Sequence, residues 1–167
     1  ALHHLLRFEE PAAAFEALMR WRKRHADALL VIDQFEELFT LNPPDVQARV
    51  AALLGRLAVL GPERHVLDIG CGIGRFERAL ADRVAAITGI DISPRLLEAA
   101  RQRCAGLANV RLIETSGRDL APLADAPFDA VLAIDAVPYG WRAGAALVAG
   151  HFAGVARVLR PHGDFVI

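Results

Sequence analysis

Lysine is almost missing from this chain: Lys23 is the only one, and every other basic residue is arginine. It sits in Arg22-Lys23-Arg24 with no glycine near it. The sequence therefore has no Gly-x-x-x-x-Gly-Lys-[Ser/Thr] phosphate loop, and nucleotide hydrolysis by this chain is not expected. Cysteine occurs twice, as Cys71 and Cys104, far apart and without a Cys-x-x-Cys pair. That spacing suggests neither a zinc site nor a disulfide framework, and a reducing cytoplasm is the expected location. Net charge of one sign is also missing: the formal value is −1, which argues against a nucleic-acid binder or a membrane-surface binder. No apolar run approaches membrane-spanning length and no secretory signal is visible. What remains, 167 residues with 54% hydrophobic and 23% charged content, is a globular composition sufficient for one core and an appendage.

Two unlike halves meet near Leu60-Gly61-Pro62. In the first, Ala12 to Arg24 carries apolar residues at helical spacing, and Ala28 to Ile32 is an apolar run of strand length stopped by Asp33. Pro43-Pro44-Asp45 then opens a helix through Leu60, with Val46, Val50, Leu53, Leu54 and Leu57 on one face. From Pro62 the pattern alternates strand and helix, the signature of a parallel sheet with crossovers. Strands are predicted at 65–69, 86–90, 109–113, 128–134 and 164–167. Helices are predicted at 73–83, 94–104 and 143–159, with a short or irregular helical piece at 118–124. Ser93 and Pro94 make a cap and first-turn pair for the second helix.

The most informative stretch is Val66-Leu67-Asp68-Ile69-Gly70-Cys71-Gly72-Ile73-Gly74-Arg75-Phe76. An apolar strand ends in an acidic residue, and three alternating glycines lead into a helix-forming segment. Glycine suits a backbone that must take positive φ or approach a ligand closely. Between a strand and a helix start, such a loop presents free N–H groups to a nucleoside ligand. A dinucleotide fingerprint would need glycine at 75 or 77, where this chain has Arg75 and Glu77, so a nicotinamide dehydrogenase is disfavoured. Asp91 ends the second strand, 21 residues past Gly70, where a carboxylate reaches ribose hydroxyls. Taken alone, it would read as an ordinary helix-capping aspartate. The fourth strand ends at Asp135-Ala136-Val137-Pro138-Tyr139, and strand carboxyl ends at a switch point are where doubly wound folds bind ligands. Asp135 is therefore a site candidate. Cys71 reads as a small buried filler, not a nucleophile.

The Asp-x-Gly-x-Gly-x-Gly run resembles motif I of the class I S-adenosylmethionine (SAM)-dependent methyltransferases, and Leu159-Arg160-Pro161-His162-Gly163 resembles that family's turn before its fifth strand. His162 stands where the family has glycine, so a strained turn is expected. The resemblance covers about residues 58 to 167. It implies an α/β, Rossmann-like doubly wound parallel sheet of strand order 3-2-1-4-5, and methyl transfer to an unidentified acceptor, a small molecule being favoured. By the same resemblance Asp68, Gly70, Cys71, Gly72, Gly74, Asp91 and Ile92 belong to the SAM site. Asp68 would order the loop or meet the cofactor's amino group. In Glu114-Thr115-Ser116-Gly117-Arg118-Asp119, adenine would meet either Ser116 with the Gly117 backbone or Asp119. Asp135 would meet the methionine part or the acceptor. Asp135 or Tyr139 would serve as general base if the acceptor must lose a proton. The chain stops inside the fifth strand, where the family adds two more. That implies an exposed edge prone to self-association and an acceptor pocket needing completion.

The first 57 residues form a separate appendage in this reading, α/β or mainly helical. Leu29-Leu30-Val31-Ile32-Asp33-Gln34-Phe35-Glu36-Glu37-Leu38-Phe39 resembles the Walker B segment of STAND-type P-loop NTPases. There Asp33 would hold magnesium and a glutamate would orient water. The alternatives are a remnant of such an NTPase, its interaction module, or a helical lid beside the sheet.

Overall fold

The computed structural model describes residues 60–123, 127–134, 136 and 144–167. The helices and strand expected within residues 1–59 lie outside the described residues. In chain order the elements are β1 (His65–Ile69), α1 (Arg75–Leu80) with a 3-10 turn at Ala81–Arg83, and β2 (Ala86–Asp91). They continue with α2 (Pro94–Arg103), β3 (Val110–Glu114), a 3-10 turn at Ala121–Leu123, β4 (Phe128–Leu132), α3 (Ala145–Val158) and β5 (Leu159–Val166). The five strands form one sheet of order β3-β2-β1-β4-β5. Every pairing is parallel, for example His65 opposite Ala86, Val66 opposite Ala130 and Ile87 opposite Val110. This is the doubly wound order that the family resemblance implies.

The central strands carry apolar runs because both of their faces are covered. Successive side chains of a strand point to opposite faces, so Val66 and Leu67 enter different cores. On one face Val66, Ile87, Ala130 and Leu132 pack with Phe76 and Leu80 of α1. On the other, Leu67, Ile90, Phe128 and Val131 pack with Val155 and Val158 of α3 and with Leu120 and Leu123. Two devices hold the frame. Asn109 Nδ2 donates to Ala81 O at 2.6 Å and to Val84 O at 3.1 Å, tying the entry of β3 to the end of the α1 segment. Asp129, inside β4, accepts from His65 N at 2.8 Å and from Arg160 Nη1 at 2.6 Å, stapling three neighbouring strands. Ser93 caps α2 as its sequence indicates, its Oγ accepting from Leu96 N at 3.4 Å.

Several boundaries differ from the sequence expectation by a residue or more, β4 ending at Leu132 rather than 134, and two of the differences have a visible cause. Helix α1 starts at Arg75 rather than 73, because Gly74 takes a left-handed φ of 75° at its N-cap. Strand β5 starts directly after α3 at Leu159, not at 164, and absorbs Pro161-His162-Gly163. Its register against β4 shifts between Phe128 and Ala130, which accommodates that segment as a bulge. His162 holds a φ of 64°, the strained conformation expected where the family has glycine.

Candidate functional site

The glycine loop is fixed by the sheet rather than by its own sequence. As β1 ends, Gly70 N and Cys71 N both donate to Ile90 O, at 2.8 and 3.0 Å. The loop then turns on three left-handed glycines, Gly70, Gly72 and Gly74, with φ values of 77°, 56° and 75°. Asp91 clasps the middle of it. Its Oδ2 accepts from Gly72 N at 2.8 Å, while its Oδ1 accepts from Ser93 N at 2.8 Å. Thr115 N donates to Asp91 O at 3.0 Å, which brings the end of β3 to the same point. Three strand ends thus converge on one residue.

A cleft of about 690 Å³ opens there, within the usual range for small-molecule sites. Gly70, Gly72 and Asp91 line one end of it, with Ile92, Ser116 and Gly117 beside them. Ile92 is 65% exposed, an apolar side chain left uncovered at the mouth. Leu147, His151 and Phe152 of α3 line the opposite wall with Phe165 of β5. Phe152 and Phe165 stack edge to face with centroids 5.5 Å apart. A Cβ built on Gly72 would find nothing nearer than Gly70 O at 4.0 Å, so the loop leaves open space where a ligand can approach. Each Asp91 oxygen has one backbone partner and keeps a lone pair for a hydroxyl donor. The cradle, the carboxylate and the apolar flank together fit an adenosyl group.

The residues proposed from sequence fall into three groups. Gly70, Gly72, Asp91, Ile92, Ser116 and Gly117 come together around the cleft. Asp68, Cys71, Gly74 and Asp119 are not among its lining residues. Gly74 shapes the loop and opens α1. Asp119 caps the following 3-10 turn, its Oδ1 accepting from Ala121 N at 3.0 Å. Cys71 is buried, and burial together with the nearby Glu77, Asp68 and Asp91 carboxyls pushes its thiol pKa upward, which suits a filler and not a nucleophile. Asp68 is 1% exposed beneath the loop. Asp135 and Tyr139 lie outside the described residues.

Sequence reasoning passed over the α3 wall and over Glu77. The latter is fully buried although charged. Phe76 and Leu80, four apart, mark the inward stripe of α1, and Glu77 at i, i+3 from Leu80 falls on it. A polar residue on that stripe was the available signal.

The fold and this cleft define a doubly wound nucleoside-binding domain of methyltransferase type. Residues 66–163 match the methyltransferase domain family, and the chain belongs to it. It is 41% identical over 103 residues to a demethylmenaquinone methyltransferase of Tropheryma whipplei, covering 62% of this chain and 40% of that protein. It is 33% identical over 104 residues to a ubiquinone biosynthesis O-methyltransferase of Paracidovorax citrulli, covering 61% of this chain and 41% of the relative. The chain thus spans less than half the length of these curated relatives. Among solved structures it resembles a SAM-dependent methyltransferase from Thiobacillus denitrificans in complex with S-adenosyl-L-homocysteine. That match has 26% identity and a TM-score of 0.57, covering 80% of this chain and 54% of the other. SAM is accordingly the cofactor of this domain. Among the described residues no helix is long and apolar enough to cross a membrane.

Proposed function

We propose that this chain is the SAM-binding core of a methyltransferase acting on a small acceptor. The observation that carries the reading is the Asp91 clasp: one carboxylate holds Gly72 N at 2.8 Å and faces the cleft. In this reading Asp91 takes the ribose hydroxyls, Ile92 covers one adenine face, and Ser116 with the Gly117 backbone meets the adenine edge. Asp119 is the weaker candidate for that edge, being occupied as a cap. Asp68 acts from below, by ordering the loop. Cys71 contributes only backbone and filler. Bound SAM supplies a methyl carbon already activated on a sulfonium, so the protein's task is orientation and exclusion of water. Asp135, or Tyr139, would take a proton if the acceptor carries one. The aromatic pair and the leucine of the α3 wall suit an apolar acceptor, in keeping with the quinone-pathway names of two relatives.

The test is calorimetric binding of S-adenosyl-L-homocysteine, ATP with magnesium, and NAD. Binding of the first alone is expected; preference for either of the others would refute the reading. We further propose that residues 58–167 form the catalytic domain, with residues 1–57 a separate appendage. Its Walker B-like string accompanies the domain without hydrolysing nucleotide, since no phosphate loop is present. Two free buried cysteines fit a cytoplasmic location. Among the described residues β5 pairs only with β4, so its other edge is our proposed route of self-association, to be read by light scattering.

A further inference from the structure

Beneath the glycine loop lie two carboxyl groups that share an apolar layer. Asp68, on β1, is 1% exposed, and Glu77, on α1, is 0% exposed. Neither Glu77 oxygen, nor Oδ2 of Asp68, meets a donor. Asp68, two residues on from Val66, shares the sheet face that α1 covers, and Glu77 Oε1 sits against Gly89, the register partner of Asp68 on β2, so the two carboxyls are neighbours. Two carboxylate ions only accept, so such a contact is repulsive unless a proton lies between them. With one proton it becomes a charge-assisted O–H···O bond. The chain makes room for it: a Cβ on Gly89 of β2 would run into Glu77 Oε1 and lie 2.9 Å from Cys71 Cβ.

The other titratable groups facing the pair are the Cys71 thiol in the loop, the Asp91 carboxylate on β2 and the Cys104 thiol on α2. None supplies positive charge. Burial first, then the neighbouring Glu77 carboxyl, drives Asp68 well above the usual carboxylate range, and burial pushes Glu77 up to about 7. Position gives the pair its consequence. Asp68 lies two residues before Gly70, and Glu77 three after Gly74, so their bond closes the base of the loop from both ends.

We propose that Asp68 and Glu77 hold one proton between them, and that this acid–carboxylate clamp positions the glycine loop, so that losing the proton loosens the loop and weakens binding of the adenosyl ligand. This rests on the SAM reading of the cleft. Above the clamp's titration the proton leaves to solvent, and two like charges face each other in a buried, apolar layer.

The experiment is calorimetry with S-adenosyl-L-homocysteine, on the parent and on Glu77→Gln, from about pH 6 to about pH 9. In the parent, affinity should fall by up to about tenfold per pH unit once the free protein has lost the proton, and binding should take up a proton there. Glutamine always offers Asp68 an N–H, so both effects should flatten in the variant. A space-filling role alone would leave the pH profile unmoved. A parent without a slope, or a variant that keeps it, overturns the clamp. Should Glu77→Gln fail to fold, Asp68→Asn makes the same test from the other side. Absence of binding at every pH overturns the cofactor reading and the loop's role with it. In that case carbon-13 carboxyl spectra of the free protein still decide the shared proton: a raised Glu77 titration upholds it, and an ordinary one refutes it.

Discussion

Replacing Asp91 by alanine separates two duties that one carboxylate performs. The residue is 8% exposed, and its oxygens accept from Gly72 N and Ser93 N, both at 2.8 Å. A hydrogen bond to a charged group is worth about 1.5–3 kcal/mol. Both amides lie at the mouth of the cleft, where water replaces part of what is lost, so the pair together should contribute about 2–4 kcal/mol to stability. For a chain of this size that is a fall in Tm of about 4–16 °C. Loss of the ribose acceptor should weaken binding of S-adenosyl-L-homocysteine by a further 1.5–3 kcal/mol, roughly 10- to 150-fold. Thermal melts and calorimetry on the same preparation read the two effects separately. Asp91→Asn keeps one acceptor oxygen and turns the other into a donor facing an N–H, so it should fall between parent and alanine on both scales. An alanine variant that melts with the parent refutes the clasp. One that melts lower yet binds the ligand unchanged refutes the ribose assignment.

Gly72→Val should fold, since its Cβ meets only open space, but should not bind S-adenosyl-L-homocysteine; the backbone φ of +56° adds strain of about 1–2 kcal/mol. Parent affinity in that variant, measured by calorimetry, would show that the ligand does not approach this residue. For Asp129, burial alone would raise the carboxyl, but the His65 amide and the Arg160 and Arg64 guanidiniums hold it below its usual range. The native state then binds fewer protons than the unfolded one. Its contribution is present above the unfolded carboxylate value and lost as pH falls through the native value. Asp129→Asn should cost about 1–3 kcal/mol near neutrality and flatten the acid limb of a urea-midpoint profile; an unchanged acid limb would count against the staple. His162→Gly removes a left-handed penalty of about 1–2 kcal/mol but adds unfolded-state freedom worth about 0.4–1 kcal/mol. The net gain should lie between about 0 and 1.6 kcal/mol by denaturant melts, and a clear loss would mean that the imidazole itself holds the bulge.

Local rules carried much of this protein. The alternation of apolar runs with helical segments was enough for β1 to β4, because buried parallel strands must be apolar on both faces. The spacing from Gly70 to Asp91 was legible for a similar reason: a strand, a loop and a crossover have nearly fixed lengths, so the carboxylate arrives where the loop amides need it. Ser93-Pro94 was legible from backbone preference alone, and His162 from its standing where the family resemblance has glycine. Tertiary structure decided the rest. Strand β5 swallowed its turn because pairing to β4 outweighed the local signals of Pro161 and Gly163. Ser116 reached the cleft while Asp119 became a cap, a choice made by where the chain leaves β3. The α3 wall, with His151 and Phe152, was invisible because nothing in a helix's own periodicity says which cavity it borders. Glu77 was the sharpest case. Its sequence neighbours say helix, and its charge says surface. Only the packing of α1 over Gly89 places it in the core beside Asp68, where burial next to a second carboxyl makes an ordinary glutamate half of the proposed proton-sharing pair.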